Sequence, residues 1–320
     1  MHTHKHLLAP LFLSAACALS AALLNGAEPV PAARHVILIG IDGFGAYAWE
    51  KAEIPNLKAL AARGALSLKT RAVMPTVSAP NWATHLKGAG PELHGFTSNS
   101  QKPTPPPRVL NAYGTFPGIF GVVRDARPEA ELGVIYDWKT ISVLFEGKAV
   151  NLDQYVAPEG PSDTEEQKVA RFERSTAEVA RLASDYIRTK KPVLAFVYLG
   201  SVDETGHAAG HDTPAYYTSL TRTDAGVGQL LDAAKAAGIE QETAWIVVAD
   251  HGGINKGHGG TSKLEFETPW LIAGPGIRKG HTIDAPVTHT DTSPTIARLL
   301  GLEAPAVWRG RPVLDAFEAK

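Results

Sequence analysis

Asp250 and His251 stand side by side after the apolar run Trp245-Ile246-Val247-Val248, and His258 follows in a glycine-rich segment, Gly252 to Gly260. Asp203 and His207 form a second pair at a spacing of four. One helical turn would set both side chains on one face, where they could grip a single ion. Asp42 closes the run Val36-Ile37-Leu38-Ile39-Gly40-Ile41. Adjacent Asp250 and His251 cannot share a helical face, but a sharp bend at Gly252-Gly253 would let them converge. Oxygen and nitrogen donors without sulfur suit zinc first, with manganese and iron as further candidates. Ser78 lies in Met74-Pro75-Thr76-Val77-Ser78-Ala79-Pro80-Asn81-Trp82, where a strand end runs into a helix. A hydroxyl there lies near the positive end of the helix and would act as a nucleophile if coordination to a dication lowered its pKa. It would serve equally well as a helix cap.

These groups do chemistry only if the fold brings them together. Short apolar runs alternate with helical patterns along the chain, which predicts an α/β fold around a mostly parallel sheet. Strands are expected at residues 36–41, 132–135, 193–198, 243–248 and 270–273. Helices are expected at residues 55–63, stopped by Gly64, at 162–190 behind a Ser162/Glu165 capping box, at 213–237, and at 291–300 before Gly301. In a parallel sheet, ligands bind at the carboxyl ends of the strands. Three of the predicted strands would deliver Asp42, Asp203 with His207, and Asp250 with His251 to that one edge. Residues 96–130, with four prolines between Pro103 and Pro107, break the rhythm and read as an insertion or small cap beside the site.

At 320 residues, 44% of them hydrophobic, the chain can bury a full core. Its net charge of −2 offers no electrostatic footprint for nucleic acid or an anionic membrane. The basic start, the apolar stretch from Leu7 to Leu24 and the Asn25-Gly26-Ala27 that follows read as a secretory signal peptide over residues 1–27, with the catalytic domain at 28–320. Secretion or a periplasmic location is therefore expected. A membrane anchor is the alternative for that stretch, and the sole cysteine, Cys17, lies within it in a loose likeness of a lipoprotein box. A chain cleaved there has no disulfide and no thiolate metal site.

The ordered set of Asp42-Gly43, Pro75-Thr76-x-Ser78-x-Pro80-Asn81, His94-Gly95, Asp203-x-x-x-His207 and Asp250-His251-Gly252 resembles the alkaline phosphatase superfamily. Within it, the chain is most similar to the type I phosphodiesterase/nucleotide pyrophosphatase family, over about residues 35 to 305 and ending in the helix that begins near Asp291. The resemblance implies a three-layer sandwich and two divalent ions, most simply zinc. Asp42 would bind one ion with Asp250 and His251. Asp203 and His207 would bind the other with a third histidine, for which His258 is expected, His289 is the alternative, and His281 looks solvated. Ser78 would bridge both ions as nucleophile. Asn81 would hold a nonbridging phosphate oxygen, His94 would be structural, and Trp82, in place of a common histidine, would alter the leaving-group wall.

The activity this implies is hydrolysis of a phosphate diester or nucleotide pyrophosphate through a phosphoseryl intermediate. A pair of dications about 4 Å apart would stabilise both attacking and leaving oxygens. The substrate would be a small phosphate ester or nucleotide, with no role for duplex nucleic acid and no stable membrane association after cleavage of the leader. Phosphomonoesterases of the superfamily add a basic clamp, for which Arg71 and Lys87 are near in sequence but unassigned. Phosphonate hydrolysis remains open, and a sulfatase is disfavoured because Trp82 stands where formylglycine formation needs arginine. A non-catalytic protein that keeps its metals for binding is the reading from outside the enzymes.

Overall fold

The computed structural model describes residues 32–319, so the expected signal peptide and Cys17 lie outside the described residues. Eight strands form one sheet: β1 (His35–Ile41), β2 (Gly64–Arg71), β3 (Leu132–Tyr136), β4 (Leu152–Tyr155), β5 (Leu194–Leu199), β6 (Thr243–Val248), β7 (Glu267–Ala273) and β8 (His281–Thr282). Their order is β4-β3-β5-β1-β6-β7-β2-β8. β1 lies at the centre, parallel to β5 on one side and β6 on the other, while β7 runs antiparallel between β6 and β2.

Helices cover both faces: α1 (Pro55–Ala62), α2 (Ser78–Lys87), α3 (Pro91–His94), α4 (Ile119–Ala126), α5 (Glu165–Lys190), α6 (Ser201–Ala209), α7 (Pro214–Ala236), α8 (Lys263–Phe266) and α9 (Thr292–Leu299). β1 shows how the two layers are served. Val36 and Leu38 join the core with Trp82, Leu86 and Ile296, whereas Ile37, Ile39 and Ile41 turn to the other core with Val179, Leu220 and Leu230. A strand buried on both sides must be apolar at every position, which is why this run was readable.

Three local expectations differ from the structure. Gly64, read as a helix stop, is also the first residue of β2, a strand whose alternating Leu-Ser-Leu-Lys pattern is short and partly exposed. β4, Leu-Asp-Gln-Tyr at the sheet edge, carries too little apolar content to announce itself. The long helix α5 starts at Glu165 behind a Thr164/Gln167 capping box rather than Ser162/Glu165. That later start puts Glu165 and Glu166 in the first turn, where the helix dipole favours anions.

Within the expected insertion, α4 packs Phe120 and Val123 into the core, and residues 96–118 carry no helix or strand. Two buried charges hold that run down. Lys87 Nζ donates to the Phe116 carbonyl, and the Glu146 carboxylate accepts from Gly118 N, Gly121 N and Asn111 Nδ2. Burial lowers the Lys87 pKa. Lys87 is thus a structural cation rather than a phosphate clamp, and Arg71 pairs with Glu267.

Candidate active site

The central strands β5, β1 and β6 end side by side, and what they deliver converges. Asp42 follows β1 and Asp250 follows β6; both are buried, as are Ser78, Asp203 and His251. Gly43, with φ of +70°, turns the chain after Asp42 and donates its N–H to Asp250 Oδ1, tying the two strand ends together. α6 begins at Ser201, so Asp203 and His207 do share a helical face, with His207 Nε2 at 3.1 Å from Asp203 Oδ2.

Ser78 sits at the first position of α2 and its hydroxyl caps nothing; Val77 is the N-cap residue. Ser78 Oγ instead faces His251 Nε2 at 3.2 Å. That nitrogen also lies 3.0 Å from Asp250 Oδ2 and 3.6 Å from Asp42 Oδ1. The His251 ring stacks on His258 at 3.6 Å, and His258 Nε2 is 3.1 Å from His207 Nε2. The glycine-rich loop therefore does return His258 to the site. His289 does not reach it: buried, it bonds Asn81 through Nδ1 and Thr268 through Nε2. His281 is not free in solvent but engaged with Asp315.

The histidine tautomers fit metal ligation. Nδ1 of His207 meets the Lys256 carbonyl, that of His251 the Gly252 carbonyl and that of His258 the Thr76 carbonyl. A carbonyl only accepts, so each neutral ring carries its proton on Nδ1 and turns the Nε2 lone pair inward. Two groups of ligand atoms result, Asp203 with His207 and His258, and Asp42 with Asp203 and His251. Asp42 Oδ1, Asp203 Oδ1 and Asp250 Oδ2 are buried without any hydrogen-bond partner. Unpaired buried oxygens of this kind are costly unless a cation offsets them, and the donor set suits a divalent ion.

Without an ion, protons carry that burden. The Asp203 hydrogen bond pulls His207 up to about 10. Burial alone would raise Asp203, but His207, then the charges of His251 and His258, hold it below the usual carboxylate range. Burial, reinforced by the Asp203 charge, pushes Asp250 up to about 7, and burial with Asp250 and Asp203 nearby raises Asp42 well above its ordinary value.

Two roles expected of neighbouring residues need correction. Asn81 is fully buried: its Oδ1 accepts from Val73 N and His289 Nδ1, and its NH2 meets the carbonyls of Val73, Pro75 and Val77. Every polar position of that carboxamide is spent bracing the turn before α2, so it has nothing to offer a phosphate. Asn99 stands where such a contact is possible. It lines the cavity beside Ser78, and its Oδ1 accepts from Ala79 N, which leaves its NH2 to donate. Trp82 is likewise no leaving-group wall. It lies buried under Asp42, and its Nε1 and the Tyr198 hydroxyl both donate to Asp42 Oδ2. Asn99 and Tyr198 carried no local signal, because one sits in an exposed loop and the other in an ordinary apolar strand.

The model of the type I phosphodiesterase/nucleotide pyrophosphatase family matches residues 36–256. The chain belongs to this family. An uncharacterized pyrophosphatase/phosphodiesterase of Schizosaccharomyces pombe is 25% identical over 228 residues, covering 68% of this chain and 44% of that protein. Arylsulfatase K of Danio rerio is 32% identical over 92 residues, 27% of this chain and 18% of the relative. The chain thus spans less than half the length of these curated relatives. Murine ectonucleotide pyrophosphatase/phosphodiesterase 5, in an inactive form with AMP, superposes with a TM-score of 0.67 at 18% identity over 89% of this chain and 100% of that one. A 2-O GAG sulfatase gives a TM-score of 0.71 at 16% identity over 88% and 73% of the two chains. At such identities the solved structures establish the fold. This phosphodiesterase-family chain is alkaline-phosphatase-like in its sheet and helical layers.

Proposed function

We propose that the chain is a secreted or periplasmic hydrolase of phosphate diesters or nucleotide pyrophosphates, working through a phosphoseryl intermediate with two zinc ions. One ion would be held by Asp42, Asp250 and His251, the other by Asp203, His207 and His258. The observation that carries this reading is the set of inward-facing Nε2 atoms and unpartnered carboxylate oxygens around Ser78 Oγ. Two bound dications would lower the pKa of the serine hydroxyl, screen the phosphoryl oxygens and activate a water.

The protein's own groups do the rest. Ser78 Oγ releases its proton to water and forms a bond to phosphorus as the bond to the leaving oxygen breaks, and that oxygen takes up a proton from water. A water then displaces Ser78 from phosphorus, releasing a monoester and returning a proton to the hydroxyl. The amino end of α2 faces the charge that develops, and the Asn99 amide would hold a nonbridging oxygen. Residues 96–118, which carry Asn99, would form one wall of the cavity.

Preference for a diester rests on the cavity lining, which among the described residues includes no lysine or arginine to meet a doubly charged phosphoryl group. Among the described residues no helix is long and apolar enough to cross a membrane, and a putative extracellular sulfatase homolog of Caenorhabditis elegans is among the relatives. Purified protein with zinc is expected to hydrolyse bis-p-nitrophenyl phosphate and a dinucleotide pyrophosphate faster than p-nitrophenyl phosphate or p-nitrophenyl sulfate. Ser78→Ala should abolish turnover while zinc still binds. Full activity in that variant would remove the nucleophile, and a preference for the sulfate ester would move the protein to the sulfatases.

A further inference from the structure

His211 is a buried imidazole whose two nitrogens both lack a hydrogen-bond partner. Leaving such a group unpaired is unfavourable, yet the fold is shaped to admit it. The ring is wedged between the segments that carry the metal ligands. A Cβ on Gly206 in α6 would come within 2.3 Å of the ring, and one on Gly253, beyond Asp250 and His251, within 2.4 Å. Glycine at both positions is what lets the imidazole in.

The carboxylates nearby explain what it could do there. Asp42 has one oxygen held by Trp82 and Tyr198 and the other unpartnered; Asp250 has one held by Gly43 N and the other unpartnered. In both, a donor from behind fixes the carboxylate and leaves one oxygen for the cradle. Asp203 breaks the pattern. Its Oδ2 faces His207 at 3.1 Å and His258 at 3.8 Å, while its Oδ1 has no donor. The nitrogen that faces Oδ1 is His211 Nε2, at 3.7 Å. His211 belongs to neither group of ligand atoms.

We propose that His211 is a positioning residue for the metal centre: with Asp203 Oδ2 on a cation alongside His207 and His258, the His211 Nε2–H closes onto Asp203 Oδ1 and fixes the carboxylate as a one-oxygen ligand. This rests on the two-metal reading above. It supplies for Asp203 the outer donor that Asp42 and Asp250 already have. Outer partners of this kind are worth about 10–100-fold in metal affinity.

The test is zinc titration of chelator-stripped protein against a competing chelator, with thermal melting of the metal-free forms. His211→Phe should bind zinc about 10–100-fold more weakly at one of two sites. Its metal-free melting temperature should equal or exceed that of the wild type, since an apolar ring replaces two unpartnered nitrogens. His211→Gln, whose amide can donate from the place of Nε2, should recover most of the affinity. Wild-type affinity in the Phe variant overturns the role, as does an equal loss in the Phe and Gln variants. A metal-free Phe variant less stable than wild type would make the ring a packing element and overturn it too. Wild-type protein that takes up no zinc would instead bring down the metal-site reading itself, and this inference with it.

Discussion

Asp42, Asp250 and His251 leave the ends of adjacent central strands and are buried, whereas His207 and His258 stand on a nine-residue helix and a glycine-rich loop, with the His207 side chain 42% exposed. The first group is held by backbone and aromatic donors that are already in place. The second depends on Lys256, whose carbonyl orients His207 and whose ammonium pairs with Glu165 at the start of α5. A site assembled this way has a rigid half fixed by the sheet and a half that a loop completes. Substitutions should therefore fail differently on the two sides.

The largest effect is expected from Asp250→Asn. The amide keeps the shape but loses the anion whose Oδ2 faces the cradle, and zinc content by elemental analysis should fall along with turnover. The loss should exceed the roughly 100-fold attached to an outer partner. His258→Ala should cost one zinc equivalent and leave the strand-borne group able to hold its own. Metal content unchanged in Asp250→Asn would refute the strand-borne site. Loss of all metal in His258→Ala would show that the two halves are not separable.

What could be read from the sequence follows the same division. Asp42 and Asp250 were legible because the strands before them are buried on both faces and so are apolar throughout, and because ligands in such sheets lie at the carboxyl ends. Asp203 and His207 were legible from a spacing that only a helical turn rewards. The placement of His258 needed the chain reversal that Gly252 to Gly260 permits. Asn81 was misread because its place in a motif says nothing about where its carboxamide points, and in the folded chain the turn before α2 consumes all of its bonds. β2 escaped because its apolar positions alternate with Ser67, Lys69 and Arg71 rather than forming a continuous run, and β4 because it is four residues long and carries little apolar content. His211 lies four residues beyond His207 and was visible as a residue, but its burial between two glycines exists only in three dimensions.

A smaller change sharpens the comparison. Tyr198→Phe removes a single hydroxyl, the donor to Asp42 Oδ2, from a buried strand. Asp42 is already raised by burial and by the charges of Asp250 and Asp203, and losing a donor raises it further, so protons compete harder with metal. Zinc affinity should fall about tenfold, toward the lower end for outer partners, and the loss should fall on the strand-borne site. The spectrum of cobalt(II) loaded into the loop-borne site should not change. A loss shared equally by both sites would mean that the rigid half is not independently braced.

The two halves should also answer differently to pH, because each must release its own protons to take up metal. His207 is held up to about 10, so across the neutral range it carries a proton that zinc has to displace. That predicts affinity at the loop-borne site rising about tenfold per pH unit. Asp250 is pushed up to about 7, so it is ionised above that pH and gives the strand-borne site a proton to expel only below it. Asp42, raised in the same direction, steepens the dependence of the strand-borne site further. The sign is the same on both sides: affinity falls as pH falls. The slope, however, should increase below pH 7 only where Asp250 is a ligand, and Asp250→Asn should abolish that break while leaving the His207-linked slope intact. Competitive zinc titrations at several pH values on either side of neutrality measure it, and a slope that is flat, or equally steep above and below neutrality, would show that Asp250 does not gate metal entry.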